Sequence, residues 1–405
     1  MTAPNSLSKN ERRILLSFLL FIVAWPIFST FTNTFLWRTS GSPVDIAVYN
    51  VGMYVGVPLG FFINSGLLHR FGHKKLFFAG CLLQGIAPLL LTVIAPTSMF
   101  AIAAFGLFLG LPMGLYWGNR NLITLCATER CDRLRFLSVE ATQNTVAGIV
   151  APLLIGHYLA AMSGGIAWAY VTLMLIGFVV LVVAGALMQA ADVEVPHNRA
   201  SPRWIGDASA LWKRQRWFEF LSGAMTVNES TVSLLIILTF LGLEDAVGST
   251  KSGVAILTAV MMALIGRRIP ESRYRSVLWL AFVLIGGSAA AFAWRFDGPA
   301  SVSFFVAIGL IAAFRTTTTM ALMYKVVGHE AERTDRNRFL YLFDREVCLN
   351  AGRVAMLALL MLAFSFAPLP TLRYGLVAAA AVHLPLIWLM GKIQDGIRSN
   401  RTGAP

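Results

Sequence analysis

Apolar runs of bilayer length follow one another along the chain, parted by short polar breaks. They fall at Ile14–Trp37, Val44–Leu68, Leu76–Ala95, Met99–Leu125, Phe136–Met162 and Ile166–Gln189, then at Trp217–Leu241, Ser252–Ile265, Ser276–Trp294, Ser301–Tyr324, Phe339–Phe366 and Leu372–Met390. A helix needs roughly 20 apolar residues to cross the hydrocarbon core, and only the eighth run is clearly short of that. No run shows the alternating polarity of a membrane barrel strand, about ten residues long. In lipid each backbone polar group must bond within its own segment, which selects helix. The pattern predicts an all-α membrane protein with twelve transmembrane helices.

The polar breaks carry a second pattern. "ERCDRLRFL" (Glu129–Leu137) lies between the fourth and fifth runs, and "ERTDRNRFL" (Glu332–Leu340) between the tenth and eleventh. Seven of the nine positions are identical at an offset of 203, about half of 405 residues. Six spans therefore map onto six spans with the same orientation, as two parallel halves. The longest polar connection, Ala190 to Arg216 with Pro196 and Pro202, falls near the middle. The expected organisation is an N-terminal six-helix bundle over 1–189, a cytoplasmic linker over 190–216 and a C-terminal bundle over 217–405.

Composition agrees, with 57% hydrophobic and 13% charged residues and a mean hydropathy of +0.69. Soluble proteins are nearer a quarter charged. The net charge of +13 is topology rather than a nucleic-acid patch, because the basic residues occupy alternate loops. With the N-terminus inside, 25 of them lie on the cytoplasmic side and only Arg38, Lys251, Arg295 and Arg373 opposite. That bias predicts that both termini are cytoplasmic. The first dozen residues are polar and no small-residue cleavage site follows, so the first span is expected to serve as its own insertion signal. Cys81, Cys126, Cys131 and Cys348 fall in membrane helices or cytoplasmic loops, where disulfides are not expected. No metal site, cofactor or ATP-binding loop is expected either, and nothing suggests an enzyme.

Two stretches carry a family resemblance. "SGLLHRFGHKK" (Ser65–Lys75) resembles the loop signature G-x-x-x-D-R-x-G-R-R/K, with His69 at the acidic position and Ser65 at the first glycine. "GIVAPLLIG" (Gly148–Gly156) is similar to the fifth-helix G-x-x-x-G-P-x-x-G pattern of proton antiporters, with Ala151 replacing a glycine. Together with the parallel repeat, the chain resembles major facilitator superfamily transporters over essentially its full length. That resemblance implies the major facilitator fold and alternating access by a monomer. "NTFLWRTSGSPVDIAVYN" (Asn33–Asn50), "GLPMGLYWGNRNLIT" (Gly110–Thr124) and "DREVCLNAGRV" (Asp344–Val354) look like a bacterial group that includes lipoteichoic-acid glycolipid flippases. Those flippases carry acidic and basic side chains in their first helix, whereas here the first span has no acid and only Arg38 at its outer end.

Charges kept within spans point to chemistry, since an ionised side chain at mid-bilayer costs roughly 2.5–3.5 kcal/mol on insertion scales. Glu229, near the middle of the seventh span, is the candidate proton carrier, with His383 in the twelfth as a second; the alternative for Glu229 is a neutral, hydrogen-bonded side chain. Candidate cavity residues are Arg120, Arg315 and Arg353, the Glu346–Asn350–Arg353 face set by helical spacing, and Asn33, Trp37 and Trp117. His157 reads as a packing residue. Candidate gating residues are His69, Arg70, Glu129, Arg130, Asp132, Arg133, Glu332, Arg333, Asp335 and Arg336, with Asp344 and Arg345. These could latch the halves or serve only as topology determinants and internal staples.

The function expected is secondary active transport by alternating access, coupled to protons. Midplane arginines favour an anionic group, and the aromatic residues suit an amphiphile, so an anionic or glycosylated lipid-like substrate is the leading reading, as flippase or exporter. A small hydrophilic metabolite, siderophore or drug is the alternative, imported or exported. A sensor or scaffold on the same fold would have no evident use for the buried charges.

Overall fold

The computed structural model describes residues 8–127, 133–193, 204–265, 269–336 and 338–402. Among these residues every regular element is helical, and twelve helices are long and apolar enough to span a membrane. They are α1 (Lys9–Ser40), α2 (Pro43–Phe71), α3 (His73–Ile94), α4 (Met99–Ala127), α5 (Arg133–Ala161) and α6 (Ile166–Gln189). The second set is α7 (Ala210–Leu241), α8 (Glu244–Ile265), α9 (Tyr274–Arg295), α10 (Gly298–Thr334), α11 (Arg338–Phe366) and α12 (Pro368–Arg398). They form two compact units, Met1–Arg199 and Ala200–Pro405.

Each unit packs by the same scheme. α1 packs on α5 and α6, α2 on α4, and α3 on α4 and α6; α7 packs on α11 and α12, α8 on α10, and α9 on α10 and α12. Hydrogen bonds repeat too. Arg13 of α1 donates to the Ala190 carbonyl at 3.0 Å, and Gln189 of α6 to that of Lys74 at 2.6 Å. In the other unit Arg214 of α7 donates to the Lys392 carbonyl at 3.1 Å, and Gln394 of α12 to that of Glu271 at 2.9 Å. In both, a cation near the start of the first helix donates to a carbonyl late in the sixth or just beyond it.

The helix ends have local causes. Ser8 and Glu11 form a reciprocal capping box at the start of α1. Asp297 caps α10, and the Ala300 amide that it accepts holds its carboxyl below the usual range. α7 starts at Ala210, not at Trp217, because Ser209 caps it by accepting from the Trp212 amide at 2.9 Å. The linker expected over 190–216 thus loses its last turns to α7. α8 likewise starts before the expected Ser252, since Glu244 and Asp245 complement the helix dipole in its first turn. Lys251, placed in an outer loop by the charge count, therefore lies within α8. The twelfth run is not continuous. Its helix stops at Ala381 and resumes at His383, because Pro385 has no N–H to offer the Ala381 carbonyl. α1 and α7 each contain a π-helical stretch, at Ile27–Phe31 and Ile237–Leu241.

The α2–α4 contact is a glycine seam. Gly52, Gly56 and Gly60 meet Gly106, Gly110 and Gly114, all at four-residue spacing. A Cβ on Gly106 would stand 2.0 Å from the Tyr49 carbonyl oxygen, and one on Gly110 2.1 Å from that of Met53. Such spacing lets helix backbones touch. Asn64, next in the α2 register, accepts from Asn119 at 2.6 Å.

Candidate functional site

In the C-terminal unit α7, α10 and the break in α12 bring Glu229, Arg315 and His383 together. Arg315 donates from both terminal nitrogens to both Glu229 oxygens at 2.7 Å. Its Nη1 also approaches His383 Nε2 at 3.3 Å, while His383 Nδ1 lies 3.0 Å from the Ala380 carbonyl. A carbonyl can only accept, so Nδ1 carries the hydrogen and Nε2 accepts from Arg315; the imidazole is neutral in this arrangement. The site is enclosed: the Arg315 and Glu229 side chains are 11% and 8% exposed, and His383 is buried. The hydroxyls of Thr318 and Thr319 turn back onto the carbonyls of Phe314 and Arg315.

Nearer the start of α7 and α11 is a second ionic group. Arg345 pairs with Glu219 at 3.1 Å and with Glu346 at 2.5 Å, and Gln215 donates to Glu219 at 2.8 Å. Along α11, Asn350 donates to the Glu346 carbonyl and Arg353 to the Asn350 side-chain oxygen at 3.1 Å. Glu346, Asn350 and Arg353 thus form one strip. The helices can approach closely because Gly223 and Gly352 pack against the backbones of Leu349 and Phe220.

Asp344 is fully buried and accepts from Trp212 Nε1 at 2.5 Å and from Arg216 at 2.7 and 2.9 Å. Arg216 also donates to the Ile205 carbonyl and lies 3.8 Å over the Trp204 ring. Asp344 and Arg345 have these partners inside the C-terminal unit, where they bind α7 to α11. Asp344→Asn leaves Arg216 without its counter-charge, and the expected loss is about 3–5 kcal/mol of stability. Thermal unfolding of the purified protein measures it; a melting temperature equal to that of the unsubstituted protein would refute it.

In the N-terminal unit Arg120 of α4 forms a salt bridge with Glu140 of α5. Its guanidinium also lies over Phe18 and Trp117, 5.0 and 5.1 Å from the ring centroids. Trp25 meets Trp117 edge-on at 6.3 Å, and Phe21 stacks on Tyr116. Further along α1, Asn33 accepts from Asn50 at 3.0 Å, and Trp37 is half-buried. His157 is exposed, and its Nδ1 approaches the Leu153 carbonyl of its own helix.

The loop residues are dispersed. Glu129, Arg130 and Asp132 lie outside the described residues, as does Cys131; Arg133 opens α5, while His69 and Arg70 end α2. Arg333 pairs with Glu330, Glu332 with Arg338 in an exposed contact, and Arg336 with Asp207. The Asp207 carboxylate raises the Arg336 guanidinium further above its ordinary range. Asp335 ends α10 in the left-handed conformation.

Glu140, Glu219, Trp212 and Arg216 are partners that reasoning on the sequence missed. A signal existed for one of them. Glu140 and Asp344 each follow the repeated "RFL" by about one turn, so each half carries an acid at nearly the same point. Trp212 and Arg216 were hidden by the late start assigned to the seventh helix.

Comparison with known proteins adds a family and a fold. The profile described as Major Facilitator Superfamily matches residues 13–334. A Bacillus subtilis (strain 168) protein, uncharacterized protein YqgE, is 21% identical over 347 residues, which cover 82% of this chain and 78% of its own. Among solved structures, a bacterial homologue of the iron transporter ferroportin in an inward-facing state has a TM-score of 0.70 at 16% identity, covering 95% of this chain and 100% of its own. The nucleoside transporter NupG has a TM-score of 0.66 at 15% identity, with 95% and 99% covered. The E. coli fucose:proton symporter FucP has a TM-score of 0.60 at 13% identity, with 95% and 98% covered. At such identities the likeness is one of fold.

Proposed function

The chain belongs to the Major Facilitator Superfamily and is a multi-pass membrane transporter, not an enzyme; on that ground we propose that it is a proton-coupled secondary transporter whose coupling centre is Glu229, Arg315 and His383. The supporting observation is the enclosed bidentate pair with a neutral histidine behind it. Buried charge of this kind is costly in a membrane and is usually retained for work.

The geometry suggests the step. With Glu229 ionised, Arg315 is fully engaged. A proton on Glu229 removes one charge of the pair and leaves the guanidinium seeking another anion. A proton on His383 Nε2 removes the acceptor there and sets a second positive charge beside Arg315. Either event exchanges an internal partner for an external one, so proton arrival and anion binding become linked. Alternating access then carries both across.

The substrate reading is an anionic or glycosylated amphiphile, as flippase or exporter. It is supported by the half-buried Trp25 and Trp117 beside Arg120, which offer apolar rings next to a cation. A small hydrophilic cargo is the second reading, favoured by the Asn33–Asn50 pair in α1 and α2. The charge bias supports cytoplasmic termini; the resemblance to a bacterial transporter group favours a bacterial inner-membrane location, and a monomer would hold both halves. Gating is assigned to the inner loops, from His69 and Arg70 to Glu332–Arg336.

The deciding experiment compares cells lacking the protein with their parent by mass spectrometry of lipid extract, cytosol and medium. A change confined to the lipid extract is expected. A soluble compound retained in the cytosol, or left unconsumed in the medium, would replace the amphiphile with a soluble cargo. No change in any fraction under conditions where the protein is made would count against transport of either kind.

A further inference from the structure

Inside the spans the paired cations are many: Arg120 with Glu140, Arg216 with Asp344, Arg315 with Glu229, Lys325 with Glu271, Arg345 with Glu219. Lys251 breaks this pattern. It lies about two turns into α8, half-buried, and has neither a hydrogen-bonded nor an ion-paired partner among the described residues.

Its place on the helix rules out lipid exposure as the explanation. At 100° per residue, Lys251 shares a stripe with Glu244, Val247 and Thr258. Glu244 and Val247 are buried, and Thr258 donates to the Gly309 carbonyl of α10 at 3.1 Å. The lipid-type stripe, Ile256, Val260 and Leu264, is exposed on the opposite side of α8. Lys251 therefore points to the protein side and pairs with no acid there among the described residues. The nearest acid on its own stripe, Glu244, is about 10 Å away along the helix axis and has a partner of its own.

An ammonium in such a place costs free energy until an anion reaches it. We propose that Lys251 is an anion-binding residue, whose counter-charge is a phosphate or carboxylate group brought by the transported molecule or by a lipid headgroup. The proposal rests on the anionic-cargo reading above but not on proton coupling. A lysine suits this use, being a compact point charge on a flexible stem that follows a moving ligand.

The test uses the full chain in phosphatidylcholine nanodiscs at fixed pH and ionic strength, without a gradient. A lysine-acylating reagent is applied with sodium chloride, inorganic phosphate or succinate, and also in nanodiscs containing phosphatidylglycerol. Peptide mass spectrometry reads Lys251 against Lys213 and Lys392. The expected result is about tenfold slower acylation of Lys251 alone in at least one anionic condition, the size of one charge-assisted contact. Protection by phosphate or succinate assigns a soluble anion, and protection only with phosphatidylglycerol assigns a headgroup. Lys251→Met should lose the rise in melting temperature given by the protecting anion, and Lys251→Arg should keep it. Equal labelling throughout, or a rise that survives Lys251→Met, overturns the proposal. Glu229→Gln separates the two readings, because it should leave Lys251 protection intact even where it abolishes coupled transport.

Discussion

Glu229→Gln is expected to reduce gradient-driven transport to the level of protein-free vesicles while the chain still inserts. The glutamine can keep one contact to Arg315 but neither ionises nor carries a proton. It also strands a guanidinium whose side chain is only 11% exposed. Breaking one side of such a pair costs about 3–5 kcal/mol, whereas removing both charges is often close to neutral. The single variant should therefore melt lower, and Glu229→Gln with Arg315→Gln should recover most of that loss without recovering transport. This separates coupling from stapling. If the pair were only a staple, the double variant would transport normally once its stability returned. Undiminished gradient-driven transport by the single variant would end the coupling assignment outright.

Gly110→Ala should have the larger effect on folding. The added Cβ would lie 2.1 Å from the Met53 carbonyl oxygen and 2.9 Å from the Gly56 Cα. Neither neighbour is a flexible side chain, so α2 and α4 must separate along their length. The expected destabilisation is at or above the upper end of the about 1–3 kcal/mol typical of overpacking. Extra van der Waals contact is lost along the whole seam. Gly148→Ala is the control, because a Cβ there meets nothing within 4 Å. Yield of monodisperse protein and its melting temperature are the readouts; equal values for both variants would show that the seam does not hold the bundle together.

The seam is legible in the amino-acid pattern. Glycine at every fourth position over Gly52–Gly60 and Gly106–Gly114 is a close-approach signal, although it does not say that these two helices are the partners. The strip Glu346–Asn350–Arg353 is legible for a similar reason, because neighbours on one helix follow from spacing alone. The pairings of Arg120 and Arg315 are not. Their carboxylates stand 20 and 86 residues away, and nothing in the local pattern selects one acid over another. Both arginines read as open anion sites in the sequence; in the structure each already holds a carboxylate.

Two boundaries differ from the hydropathy pattern for opposite reasons. α7 begins early because Ser209 caps it and because Trp212 and Arg216, which look like loop residues, are satisfied by Asp344 of α11. α12 is interrupted because Pro385 withdraws one backbone donor inside an otherwise apolar run. A hydropathy window averages over both effects. Lys251 shows the same limit: its charge suggested a loop, and only the stripe it shares with Thr258 shows that it turns inward.

The helical class and the twelve spans are written in the chain's own pattern, as is the charged motif repeated at half its length. The first two follow from a local requirement, that backbone embedded in lipid bond within its own segment. Which charges meet is a matter of packing, since partner choice among buried groups depends on distances between helices that are remote in the chain. That choice turned three arginines of similar appearance into a coupling candidate, an aromatic-lined pair and a member of the α11 strip. It also left Lys251 facing inward with no paired acid among the described residues.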